Sequence, residues 1–137
     1  MMRACFCAVV VLALAAGLPA AQAADPLPEG AKGFAGMITG KVITKGDAQV
    51  VVEVSKIDRV WKHNKAENPA SLIGRRVTIR IVPQVYEKKE GYLVRVRQFF
   101  GLLKAGDSES FDVKHSEGDS LIFLELTKAQ MERLVAH

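Results

Sequence analysis

The sequence predicts a mainly β domain: a five-stranded Greek-key barrel with a helix between strands 3 and 4 and a short C-terminal helix. Three observations carry this. Short runs rich in β-branched and aromatic residues alternate apolar with polar positions and are separated by turn-forming Gly, Pro, Asn and Asp. One stretch after the third run repeats its apolar residues every three or four positions instead. Near the end, Thr127-Lys128-Ala129-Gln130 is a capping box, the mark of a helix start.

The first strand is expected over Phe34 to Thr44, where Gly36 and Gly40 interrupt the β-branched residues. Glycines stand so where a strand coils sharply or another backbone comes close. Lys45-Gly46-Asp47 then reads as a tight turn. In the second strand, Gln49 to Trp61, Val50, Val52 and Val54 alternate with Val51, Glu53 and Ser55. The alternation slips at Ser55-Lys56, because Ile57 resumes the apolar face, and a β-bulge accounts for the slip. His63 to Ala70 is polar, contains Asn68-Pro69, and forms the loop to the third strand. That strand is Arg75 to Val82, with Val77, Ile79 and Ile81 facing inward and Arg76, Thr78 and Arg80 outward, ended by Pro83.

Tyr92, Leu93, Val96, Phe99, Phe100 and Leu103 make one face of an amphipathic helix over 92–103, with Arg95, Arg97 and Gln98 on its wet side. Val94 does not fit that face, and a Tyr92-Val94-Val96 strand is the alternative. Lys104 to Asp107 is a turn, and Ser110 to Lys114 with Leu121 to Leu126 form two strands around Ser116-Glu117-Gly118-Asp119, the spacing of a hairpin. The helix after Thr127 is expected to bury Met131, Leu134 and Val135.

Three strands, a helix and a two-stranded hairpin is the order of an OB-fold. Val50 to Lys62 (VVVEVSKIDRVWK), Ser71 to Ile79 (SLIGRRVTI) and Leu103 to Val113 (LKAGDSESFDV) resemble segments of small exported bacterial OB-like domains. The resemblance covers nearly all of the chain after residue 23 and rests on strand and turn chemistry. It implies the barrel, and it supplies no catalytic or ligand-binding residue.

Residues 1–23 have the parts of a secretory signal peptide: Arg3, an apolar run from Ala4 to Leu18, and the small-residue exit Ala21-Gln22-Ala23. A membrane anchor needs roughly 20 apolar residues, more than this run supplies. Residues 24–32, with Pro26, Pro28 and Gly30, are expected as an extended linker, leaving 33–137 as the barrel domain. Both cysteines, Cys5 and Cys7, fall inside the signal, so the processed chain has no disulfide, thiolate nucleophile or Cys-ligated metal. The processed protein is expected in the periplasm or outside the cell, without stable membrane insertion.

Charge is uneven along the processed chain. From Lys56 to Lys104 there are 12 basic against 4 acidic residues, whereas from Ala105 to His137 there are 3 against 7. An OB barrel commonly binds along the outer face of its second and third strands and the loops beside it. Arg75, Arg76 and Arg80, with Lys62, His63 and Lys65 in the preceding loop, put cations near that face, while Trp61 and Tyr86 offer flat rings. Trp61, Lys62, Lys65, Arg75, Arg76 and Arg80 are therefore the candidate ligand-binding residues. The plainer reading is a solvated basic face, with Trp61 packing its body at the barrel rim and its indole N–H hydrogen-bonded. Nucleic acid is disfavoured because Phe99 and Phe100 belong to the helix core, which leaves few stacking rings.

His63, His115 and His137 lack metal-site spacing and read as solvated, and Glu117-Gly118-Asp119 reads as turn chemistry rather than a calcium loop. No nucleophile elbow, metalloprotease helix or phosphate loop is present in the sequence. The expectation is a non-enzyme without a cofactor: an exported binding module for a protein partner or an envelope component. A structural accessory subunit of an envelope complex is the alternative, ahead of an oligosaccharide or nucleic-acid binder. Intact-mass analysis of the exported protein should find an N-terminus at Ala24 or within a residue or two. A membrane-held product that retains Met1 would contradict the cleavage.

Overall fold

A computed structural model describes residues 24–136, so the expected signal segment 1–23 and His137 lie outside the described residues. Its strands are β1 (Ala35–Gly46), β2 (Gln49–Val60), β3 (Arg76–Arg80), β4 (Ser108–His115) and β5 (Ser120–Phe123). Its helices are α1 (Tyr92–Leu102), between β3 and β4, and α2 (Lys128–Ala136). The strands close into a barrel in the order β1-β2-β3-β5-β4, and the mainly β expectation holds. All neighbours are antiparallel except β3 and β5, which are parallel. Among the described residues no helix is long and apolar enough to cross a membrane.

Closure depends on β1, which pairs with β2 along its length and with β4 from Ala35 to Lys41. Such a strand must coil around the barrel, and its glycines permit it. A Cβ at Gly36 would run into the Arg59 carbonyl oxygen, and one at Gly40 into Val52 Cγ1 and, at 2.6 Å, the Glu53 carbonyl oxygen. The slip in β2 is a bulge. Thr39 pairs with Lys56 and Gly40 with Val54, so Ser55 is the extra residue. The β1–β2 turn is shorter than the sequence suggests: Gly46 pairs with Gln49, leaving Asp47 and Ala48 as the connection. Ala48, the second of the two, takes φ 60°, in the left-handed region that non-glycine residues seldom enter.

Alternation fills the core as expected. Val50, Val52, Val77 and Ile79 are fully buried, whereas Arg76, Thr78 and Arg80 on the other face of β3 stay partly exposed. Helix α1 adds Val96, Phe99 and Phe100. Phe99 and Phe100 meet Phe111 of β4 and Phe123 of β5 with ring centroids 5.3 to 6.4 Å apart, so α1 is held to the β4–β5 hairpin through aromatic contacts. Val94, the residue that did not fit, is 58% exposed on the wet side, and the strand alternative for this segment falls away.

Four expectations are corrected by packing. Strand β5 stops at Phe123, not Leu126, because Leu126 N–H donates to the Tyr92 hydroxyl (2.7 Å) and draws the chain from the ladder towards α1. The Thr127–Gln130 capping box forms in both directions, at 3.0 and 3.1 Å, yet Val135 is 80% exposed. The inward stripe of α2 runs through Gln130, Met131 and Leu134, and Val135 lies about 100° further round. The 24–32 segment does not run free. Asp25 N–H donates to the Arg76 carbonyl (2.7 Å) while its carboxylate accepts from Arg76 N–H (2.9 Å), and Leu27 and Ala31 enter the core.

His115 is half-buried rather than solvated. Its Nδ1 accepts from Gly33 N–H at 2.9 Å, which leaves Nε2–H to donate to the Gly118 carbonyl, also 2.9 Å away. Asp119 in the same turn accepts from Leu27 N–H (3.1 Å), so the β4–β5 turn clasps the N-terminal lead-in. The register of β3 makes a direct test. Ile79→Asp places an unpaired charge in the core and should cost several kcal/mol in denaturant unfolding, whereas Thr78→Asp should cost much less. Equal losses would contradict this register.

Candidate functional site

Trp61 follows β2 immediately, and its N–H donates to the Ala35 carbonyl (2.9 Å), continuing the ladder with β1 by one step. On β4, Phe111 and Val113 point into the core, so Asp112 between them points out. The two residues stand on opposite sides of β1, where Met37 pairs with Arg59 of β2 and with Asp112 of β4. Trp61 reaches across β1 and its indole Nε1–H donates to Asp112 Oδ1 at 2.8 Å. The half-buried body and bonded N–H are those of the rim reading.

The chain leaving β5 builds the facing wall. Leu124 N–H donates to the Asp112 carbonyl (2.8 Å), and residues 124–127 lie alongside. Val85 and Lys89, between β3 and α1, form a third side. Together with Met37 and His63 these residues enclose a groove of about 590 Å³, within the range of small-ligand sites. Lys89 Nζ binds Glu125 Oε2 at 2.6 Å and lies 5.0 Å from the centroid of the Tyr92 ring, so both charges at this rim are occupied.

Asp112 is only 9% exposed, and its carboxylate has one hydrogen-bond partner among the described residues, the Trp61 indole. Burial pushes its carboxyl above the ordinary aspartate value. The indole bond, with His63 and Lys89, draws it back, and Glu125 reinforces the rise. Lys89 is raised in turn, chiefly by its hydrogen bond to Glu125. The site thus holds one carboxylate oxygen fixed by an N–H and a second without a hydrogen-bond donor among the described residues. That arrangement can accept a hydrogen bond or pair with a cation.

Of the residues proposed from sequence, Trp61 and His63 line this groove. Lys62 and Lys65 are exposed on the loop that follows, and Arg75 is exposed before β3. Arg76 binds Glu53 Oε1 through Nε (3.2 Å), and Arg80 Nε donates to Ser120 Oγ (2.7 Å). None of the three arginines lines the groove, because β3 lies on the side of β2 away from β1, over which Trp61 reaches. Tyr86 offers no flat ring. It is buried, its hydroxyl donates to the Phe123 carbonyl (2.6 Å), and burial raises its phenol.

Asp112, Met37, Val85 and Leu124 to Thr127 were not proposed as site residues from sequence. The alternation Phe111-Asp112-Val113 places Asp112 on the outer face, but its burial comes from Trp61, 51 positions earlier, and from the chain after β5. No family model, curated protein or solved structure matches the chain.

The raised carboxyl sets a pH dependence. A folded-state value above the unfolded one favours folding below the unfolded pKa, and the contribution is lost as pH rises through the folded pKa. Asp112→Asn keeps an oxygen for the indole and removes the buried charge. Its stability relative to wild type should be near parity in acid and should shift in the variant's favour towards neutral pH, measured by denaturant unfolding. A variant that instead loses ground as pH rises would show that the charged indole bond outweighs desolvation.

Proposed function

We propose that this chain is an exported, non-catalytic binding module on an OB-like Greek-key barrel, and that its groove beside Trp61 engages a protein partner. The observation that carries the reading is the groove itself: a preformed, largely apolar concavity with a buried carboxylate braced by an indole. The bracing groups come from strands and from segments tied to them by hydrogen bonds, so the packing of the fold itself shapes the site. Export rests on the arrangement of residues 1–23. The OB-like assignment rests on the order of elements, to which the closed barrel and the helix between β3 and β4 lend support.

The basic strip is less suited to an anionic ligand than its composition suggests. Arg76 and Arg80 already bind neighbouring strands, and Asp112 and Glu125 oppose phosphate at the groove. A photo-crosslinking residue in place of Val85 should therefore give a discrete protein adduct in the native cell envelope, and Trp61→Ala should diminish it. The same residue in place of Gln98, on the wet face of α1, should give none. Adducts from position 75 with none from position 85 would overturn the groove in favour of the basic strip.

A further inference from the structure

We infer that the groove selects a single cationic side chain, lysine or arginine, presented by the protein partner, with Asp112 as its counter-ion. This rests on the groove being the binding surface. Lys89 and Glu125 satisfy each other at 2.6 Å, whereas among the described residues Asp112 forms no ion pair and gives one oxygen to a neutral indole. The carboxylate of a residue only 9% exposed is expensive to leave unpaired, and an incoming cation would meet it in surroundings that screen weakly. The walls suit the stem of such a side chain. Met37, Val85 and Leu126 offer apolar contact along the approach, as the methylenes of lysine and arginine require.

Charge around the groove limits the ligand to one cation. Lys89 is on the wall, and Lys62 and Lys65 are exposed on the adjoining loop. A polybasic run would meet repulsion from these groups, whereas one cation reaching Asp112 gains a close partner. The neutral alternatives are an apolar side chain, which leaves the carboxylate unpaired, and a sugar, whose hydroxyls could also donate to it.

The chain's one tryptophan supplies the reporter, because its indole N–H is bonded to the carboxylate in question. The probes are an N-acetyl, C-amide tripeptide, Ala-Lys-Ala, its norleucine counterpart, and methyl β-glucoside. Each is titrated into the processed protein while the indole ¹H–¹⁵N resonance is followed. The lysine peptide should bind about tenfold or more tightly than the norleucine peptide, and Asp112→Asn should erase that ratio while keeping a dispersed spectrum. Should Asp112→Asn fail to fold, wild type alone decides: lysine-peptide affinity must fall as the carboxyl protonates in acid, and norleucine affinity must not.

Equal affinity for the two peptides, an unchanged ratio in Asp112→Asn, or a response to the glucoside alone would overturn the inference. If neither peptide moves the indole while position 85 still yields its adduct, cation selection fails and the groove reading stands. If the adduct is absent as well, both fail.

Discussion

The outer surface of this protein depends on how closely β1 lets its two neighbours approach. Gly36 pairs with Val60 on one side and Val113 on the other, and the Arg59 carbonyl occupies the place a Cβ would take. One step along, Met37 pairs with Arg59 and Asp112, so β2 and β4 flank a single residue of β1. Strands about 4.8 Å apart put their second neighbours within reach of one long side chain. Trp61 is that side chain, and the 2.8 Å bond to Asp112 follows from the spacing.

Closure also explains why the groove is fixed. The barrel core is sealed by Phe99 and Phe100 of α1 against Phe111 and Phe123. Tyr86 and Tyr92 then tie the segments flanking the groove to β5 and to the chain beyond it, through the Phe123 carbonyl and the Leu126 N–H. At the N-terminal side, His115 and Asp119 hold the lead-in by its backbone, and Leu27 and Ala31 add apolar burial. The groove is therefore an outer feature supported by inner packing. A buried carboxylate is tolerated there because one oxygen is hydrogen-bonded.

Local chemistry was legible in the sequence where it is decided within a few residues. The Val50 and Ile79 faces, the Ser55 bulge, the glycines of β1 and the Thr127–Gln130 box all follow from spacing. The errors arise where distant segments decide. Leu124 to Leu126 has strand composition, but after the Leu124 bond to β4 the Tyr92 hydroxyl draws Leu126 off the ladder. Pro26 and Pro28 suggest a linker, yet the backbone of β3 and the β4–β5 turn pin the segment between them. The candidate residues are parted for the same reason. Trp61 reaches over β1, away from β3, and lines the groove, whereas Lys62, Lys65 and the arginines do not line it. Asp112 carries no sequence signal, since an outward aspartate in a strand is ordinary until something covers it.

The central claim is that close approach at β1 positions Trp61 on Asp112, and Gly36→Ala tests it against Gly101→Ala. An added Cβ at Gly36 meets the Arg59 carbonyl and, at 2.8 Å, Phe34 Cζ, whereas Gly101 in α1 has open space. Denaturant unfolding read by the Trp61 indole resonance should show Gly36→Ala losing about 1–3 kcal/mol with a displaced native-state indole signal. Gly101→Ala should be neutral or slightly stabilising, with the signal unmoved. Equal stability and unmoved indole signals in both variants would contradict the dependence of the site on this approach.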